Sequence, residues 1–301
     1  MFKIKYPFVE ALFTILKNQL ITLNQNEIES LYVKWSSEFS DDLSILSDII
    51  SKDSIKDNQN VPSHSCLNGI DLPTWFGEFQ NKKVIFLGID PMRNDKDFHN
   101  SNADTSMDVL VGTPYAFHIK AFRENRTSPY WHVISEVAKS NFVYVTDIYK
   151  TFFYTDNTKK IRSYEFWNKS ENANFNQNHR KLLVDEINLI EPDIIVTFGA
   201  LAYKVLANQK YCPTLSLSLS NPKRNVKPFT GEGVPQERPI PIVPLMHLSG
   251  STRGKNLEAF FMNNGLKYSE KYDKRNKAGH LYGQLINDYI ANVNKPTPNS
   301  V

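Results

Sequence analysis

At 301 residues, with 41% apolar and 22% charged content, the chain is long enough to bury a substantial core, and its composition excludes disordered and collagen-like classes. The formal charge of +3 permits a nucleic-acid partner without requiring one, because local clustering of Lys and Arg matters more than their total. Cys66 and Cys212 stand far apart and supply neither a disulfide framework nor a four-thiolate metal site, so free thiols in an intracellular, cytoplasmic protein are expected.

From the N-terminus, the partly apolar stretch 2–23 is interrupted by Lys3, Lys5, Glu10 and Lys17 and is followed by no small-residue cleavage site, which fits neither a signal peptide nor a membrane span. Phe8, Leu12, Ile15, Leu16 and Leu20 recur at helical spacing and predict a helix over 7–23. A second helix is predicted over 27–39, with Asn24 and Asn26 available to cap it, and a third, short one over 42–51. The polar, aperiodic stretch 52–65 reads as a loop or linker. Residues 1–65 are therefore expected to form a helical extension and linker packed on a main domain at 66–294, with a frayed tail at 295–301.

Four short, continuously apolar segments follow, at 84–87, 142–145, 193–198 and 240–245, as expected for strands covered on both faces. Helical patterns at 130–139, 178–190 and 200–209 lie between them, and another at 257–263 follows the last. The alternation predicts an α/β fold: a three-layer α/β/α sandwich around a mainly parallel, about four-stranded sheet, with the N-terminal helices as an extension. The Pro-, Gly- and Ser-containing stretch 213–238 reads as an irregular excursion.

Open α/β sheets build ligand sites beyond the carboxyl ends of their strands. In VIFLGIDPMRND, Asp90 follows the first strand; in FVYVTDIYKT, Asp147 ends the second; in DIIVTFGA, Gly199-Ala200 joins the third to a helix; in MHLSGSTRG, His247 follows the fourth. Each has a plain alternative. An Asp before Pro bonds its own turn, Asp147 caps a turn or helix, Phe117 in GTPYAFHI is a core aromatic, and His247 is a satisfied loop histidine with Arg253 and Lys255 solvated beside it. Their joint order is harder to explain in those terms.

That order resembles the uracil-DNA glycosylase superfamily over residues 83–256. The family's GQDPYH is matched by GIDPMR, and its HPSP, followed by a minor-groove wedge, by HLSGSTR. The resemblance implies an enzyme that flips a uracil or another altered base out of DNA and hydrolyses its N-glycosidic bond, as in base excision repair. It implies that Asp90 lies near the sugar and positions water, that His247 donates a hydrogen bond to the departing base, and that Phe117 stacks on that base. Ile89, Met92 and Asp147 would also line the base pocket. The loop with Ser249, Ser251, Arg253 and Lys255 would grip DNA, Arg253 filling the space left by the flipped nucleotide and Lys255 meeting phosphate. No metal or organic cofactor is implied; DNA, single- or double-stranded, is the expected partner, and a monomer away from membranes the expected state.

Four positions depart from the family pattern. Asp147 stands where uracil readers carry Asn; an ionised carboxylate accepts only, whereas an amide both donates and accepts. Met92 replaces the Tyr that walls off a 5-methyl group, Ile89 replaces Gln, and Leu248 replaces the Pro after the histidine. These departures motivate a second expectation, a catalytically diverged member that binds a nucleobase or nucleic acid without cleavage. A third, an unrelated α/β enzyme of nucleotides or phosphorylated metabolites, lacks any Gly-x-Gly-x-x-Gly or Walker-type loop.

Overall fold

The computed structural model describes residues 6–36, 48–56, 65–91, 107–120, 123, 129–155, 160–161, 173–208, 227–229, 240–245, 248, 255–269, 273 and 275–293. Among these the helices are α1 (Val9–Gln19), α2 (Gln25–Ser36), α3 (Pro129–Ala138), α4 (Ala173–Ile190), α5 (Ala200–Leu206), α6 (Lys255–Asn263) and α7 (Arg275–Val293). The strands are β1 (Asp48–Ser51), β2 (Ser65–Asp71), β3 (Thr74–Phe76), β4 (Lys83–Gly88), β5 (Asp108–Gly112), β6 (Phe142–Asp147), β7 (Thr151–Thr155), β8 (Lys160–Ile161), β9 (Ile194–Phe198), β10 (Lys227–Phe229) and β11 (Ile240–Leu245).

The four apolar runs become β4, β6, β9 and β11, the parallel centre of a sheet ordered β10-β11-β9-β4-β6-β3, whose outer strands β10 and β3 are antiparallel. Their β-branched and aromatic residues are buried on both faces, as a parallel sheet between helices requires. The chain passes from β4 to β6 on one side, then back past β4 to β9 on the other. Right-handed crossovers in opposite directions put the connecting helices on opposite faces. Accordingly Glu186 of α4 meets Tyr144 and Thr146 of β6 on one face, while Tyr130 of α3 packs on Phe198 of β9 on the other, with ring centroids 4.9 Å apart.

The α/β sandwich is therefore present, with six strands in the main sheet where about four were expected, and with a second sheet that was not anticipated. That sheet has the order β1-β5-β2-β7-β8 and mixes antiparallel pairs with the parallel pair β5 and β2. The expected helix over 42–51 is corrected for its last four residues, which are β1 paired antiparallel to β5; residues 42–47 lie outside the described residues. Adjacent Ile49 and Ile50 suit a strand as well as a helix, and tertiary contacts decide: Asp48 accepts hydrogen bonds from Lys34 and from Trp35 of α2, the latter at 2.7 Å. Helix α7 was not foreseen. It packs on α3 where Gly279 and Gly283 let the two backbones approach, since an added Cβ would collide with Pro129, His132 or Glu136.

The N-terminal helices join the same core. Val9, Leu12, Phe13 and Leu16 are buried on one face of α1, and the preceding Phe8, also buried, meets Trp75 edge-on at 5.1 Å. Full burial of each such side chain stabilises by roughly 1.5–3 kcal/mol. Helix α2 starts with a reciprocal cap: Asn24 Oδ1 accepts from the Glu27 N–H at 3.1 Å, and Glu27 Oε2 accepts from the Asn24 N–H at 2.7 Å.

Candidate active site

The ends of β4 and β6 are built as one unit. Gly88 and Asp147 are register partners, and the parallel pairing continues past them, with the Ile148 N–H donating to the Gly88 carbonyl and the Tyr149 N–H to the Ile89 carbonyl, each at 3.0 Å. Side chains of register partners share a face. A Cβ on Gly88 would collide with Asp147 Oδ1, so the carboxylate lies over a glycine that leaves room for it. Asp90 follows two residues later. Both acids are buried, Asp147 at 3% and Asp90 at 8% exposure.

A tyrosine not singled out in the sequence feels the charge of both acids. After β5, Pro114–Ala116 form one 3-10 turn in which Tyr115 and Ala116 take φ of 58° and 55°. Left-handed conformations cost side-chain-bearing residues on the order of 1–3 kcal/mol each and persist where surrounding structure imposes them. The turn aims Tyr115 into an aromatic group: it stacks on Tyr130 at 4.7 Å and on Phe117 at 5.3 Å, and meets Phe198 edge-on at 5.7 Å. Its phenol is held well above the usual range, first by burial and then by the charges of Tyr130, Asp147 and Asp90. It therefore stays protonated at neutral pH, a hydroxyl that donates.

Phe117 is fully buried, with Tyr115 on one side and Trp131 tilted against it at 5.5 Å. Arg123 donates to its carbonyl and lies over the Trp131 ring at 5.1 Å. Ile89, partly buried, sits between the two strand exits and packs against the core. Leu248 is tied to the same region, its N–H donating to the Tyr130 hydroxyl at 3.0 Å, while the Gly199 N–H donates to the carbonyl of Leu245, the last residue of β11. Met92, His247, Ser249, Ser251 and Arg253 lie outside the described residues. Lys255 is the first residue of α6, and its side chain lies outside them as well.

The opposite face of the same strand end holds a second polar group. Lys150 is fully buried and its ammonium donates to Thr146 Oγ1, to the Asp147 carbonyl at 2.7 Å and to Glu186 Oε2 at 2.6 Å. Glu186, also fully buried, accepts from Tyr144 Oη at 3.2 Å and Thr146 Oγ1 at 3.3 Å. Burial pushes its carboxyl up, while Lys150 and the two hydroxyls pull it back. His179 Nδ1 accepts from the Lys150 backbone N–H at 3.5 Å; burial, and then the Lys150 charge, lower its imidazole to about 3. Neither Tyr115 nor Lys150 stood out in the sequence. Nothing in GTPYAFHI separates Tyr115 from Phe117, and the available signal for Lys150 was a lysine three residues beyond an apolar strand's acid.

Among the described residues no group of three or more His, Cys, Asp and Glu could hold a metal ion, and no helix is long and apolar enough to cross a membrane. Comparison with curated proteins finds no match. The family model for the Uracil DNA glycosylase superfamily matches residues 75–272, which takes in β3 to α6 and leaves out the N-terminal helices and α7.

Proposed function

From the premise that this chain belongs to the uracil DNA glycosylase superfamily, we propose that it is a monofunctional DNA glycosylase, hydrolysing the N-glycosidic bond of uracil or another altered base flipped out of DNA. The observation that carries the reading is the paired exit of β4 and β6, which presents the buried Asp90 and Asp147 at the carboxyl edge of the parallel sheet. Base excision separates an oxocarbenium-like sugar from an anionic base, so a site needs negative charge near the sugar and donors near the base. In this reading Asp90 supplies the first and holds the attacking water. The bond from the sugar C1′ to the base nitrogen breaks with its electron pair going to the base, and water adds at C1′. Its proton leaves through Asp90, and an abasic sugar remains.

His247, next but one after the end of β11, donates to the departing base oxygen. Tyr115 and Phe117 form the aromatic wall for the base, with Tyr115 the partly exposed member. Asp147 meets the base edge, flanked by Ile89 and Met92. Ionised, it suits an edge with two adjacent donors, such as guanine's; protonated, it suits uracil or cytosine. Ser249, Ser251, Arg253 and Lys255 contact the strand, Arg253 as the wedge. The protein works as a cytoplasmic monomer on DNA, needing water, an acid and hydrogen-bond donors for the chemistry.

The test is strand scission by alkali after incubation with oligonucleotides carrying a panel of altered bases, for wild type and Asp90→Asn. Scission at one base, lost in Asp90→Asn, supports the reading. Tight binding of base-containing DNA with no scission across the panel would instead support the diverged, non-cleaving member that Asp147 in place of Asn suggests.

A further inference from the structure

A buried ion pair is a poor source of net stability, because desolvating two charges costs about as much as their attraction returns. Lys150 and Glu186 are nonetheless both fully buried behind the candidate site, where apolar side chains of similar volume often serve stability as well. What an apolar pair could not do is hold a backbone carbonyl. The Lys150 ammonium has three N–H groups and three acceptors: Thr146 Oγ1, Glu186 Oε2 and the carbonyl of Asp147. Two of those acceptors belong to the residues that end β6. Lys150 is itself fixed at both ends of its backbone, its N–H donating to His179 and its carbonyl accepting from the Asp71 N–H at 2.8 Å.

Asp147 is thereby gripped from two sides. On the front, its side chain lies over Gly88; on the back, its carbonyl is held by an ammonium whose charge Glu186 balances. Rotating the Asp147–Ile148 peptide would break the Lys150 contact and the Ile148 N–H bond to Gly88 together. We propose that Lys150, with Glu186 as its counter-charge, is the positioning residue of this site, fixing through the Asp147 carbonyl the direction in which the Asp147 carboxylate meets a base. The inference rests on the glycosylase reading for its substrate, though the placement of Asp147 can be followed without one.

The decisive variant is the double change Lys150→Met with Glu186→Gln, which removes both charges, keeps an acceptor for Tyr144 and Thr146, and avoids stranding a single buried charge. It is measured beside Asp147→Ala and the combination of all three. The expected result is a folded double variant whose single-turnover excision falls by about tenfold or more, with the affinity for uncleaved DNA unchanged and with the base ranking displaced as in Asp147→Ala. In the Asp147→Ala background the double change should have no further effect, which is the mark of one residue acting through another. A second readout needs no substrate: with aspartate labelled at its carboxyl carbon, and the Asp147 signal identified by its loss in Asp147→Ala, that resonance should move in the double variant. Movement of the resonance in a protein that excises no base would sink the glycosylase reading and leave the positioning role standing. A folded double variant with an unmoved resonance, or with wild-type rate and ranking, or with losses that add to those of Asp147→Ala, overturns the proposal. Should the double variant not fold, Lys150→Arg, which keeps a cation beside Glu186 and displaces the donor from the Asp147 carbonyl, supplies the same two readouts, with the same outcomes deciding.

Discussion

The two faces of the carboxyl end of β6 differ in the charge they hold. The back pairs a cation with an anion, Lys150 with Glu186, and surrounds them with hydroxyls and the neutral imidazole of His179. The front carries two buried acids, Asp147 beside Gly88 and Asp90 two residues beyond it, whose charge reaches the phenol of Tyr115. Pairing is how a protein tolerates buried charge, and acids at the carboxyl edge of a parallel sheet stand where such folds form ligand sites. The back thus holds the strand end in place, and the front presents the acids.

The largest expected effect breaks the back face. Lys150→Ala leaves Glu186 buried without its cation and should lower the unfolding free energy by about 3–5 kcal/mol in urea melts. A change under about 1 kcal/mol would mean that the pair is not sealed from water and that the contrast between the faces is false. Acid should weaken the same face. His179 has a folded pKa of about 3 against an ordinary 6.5, so between those values the unfolded chain takes up a proton that the folded chain refuses. Its stabilising share is complete above pH 6.5 and falls as pH drops towards 3, by roughly 1.4 kcal/mol per pH unit. Melts of wild type against His179→Gln from pH 7 to pH 4 should converge as the pH falls; parallel curves would show that His179 already charges in the folded state.

On the front face the expected effect is on base choice. Asp147→Asn replaces an acid by an amide that can both donate and accept, and excision should shift towards uracil by roughly tenfold, the scale of one mispaired buried group at ~1–3 kcal/mol. An unchanged base ranking would remove Asp147 from the base edge and leave it as a strand cap. The smallest effect belongs to Tyr115→Phe, which keeps the stacked ring and loses the hydroxyl. Its stability cost should be about 0.5–1.5 kcal/mol, with a larger fractional loss of excision than of DNA affinity. Equal losses would class the phenol as packing.

Much of this architecture was readable before any coordinates. The four central strands were legible because burial on both faces writes an uninterrupted apolar run, and Asp90 and Asp147 because each stands where such a run stops. The second sheet was not legible. Its members, such as Asp108–Gly112 and Thr151–Thr155, are short and take their character from partners far along the chain; β1, four residues with two adjacent isoleucines, reads equally as helix. Helix α7 was not legible because its contact with α3 runs through Gly279 and Gly283, which add nothing to an apolar stripe.

The sequence by itself determined what each strand's own neighbourhood determines: which runs form the parallel strands, and the carboxyl-end address of both acids. Tertiary structure decided which groups work on those acids. Tyr115 is brought into the range of their charge by a turn with two left-handed residues, a conformation no side-chain pattern encodes. Lys150 finds Glu186 thirty-six positions away, because a crossover helix returns over the back of the sheet. Strand character is local, set by residues that alternate faces every 3.3 Å or so. The pairing of a buried charge is not, because its partner is whichever residue the topology folds against it.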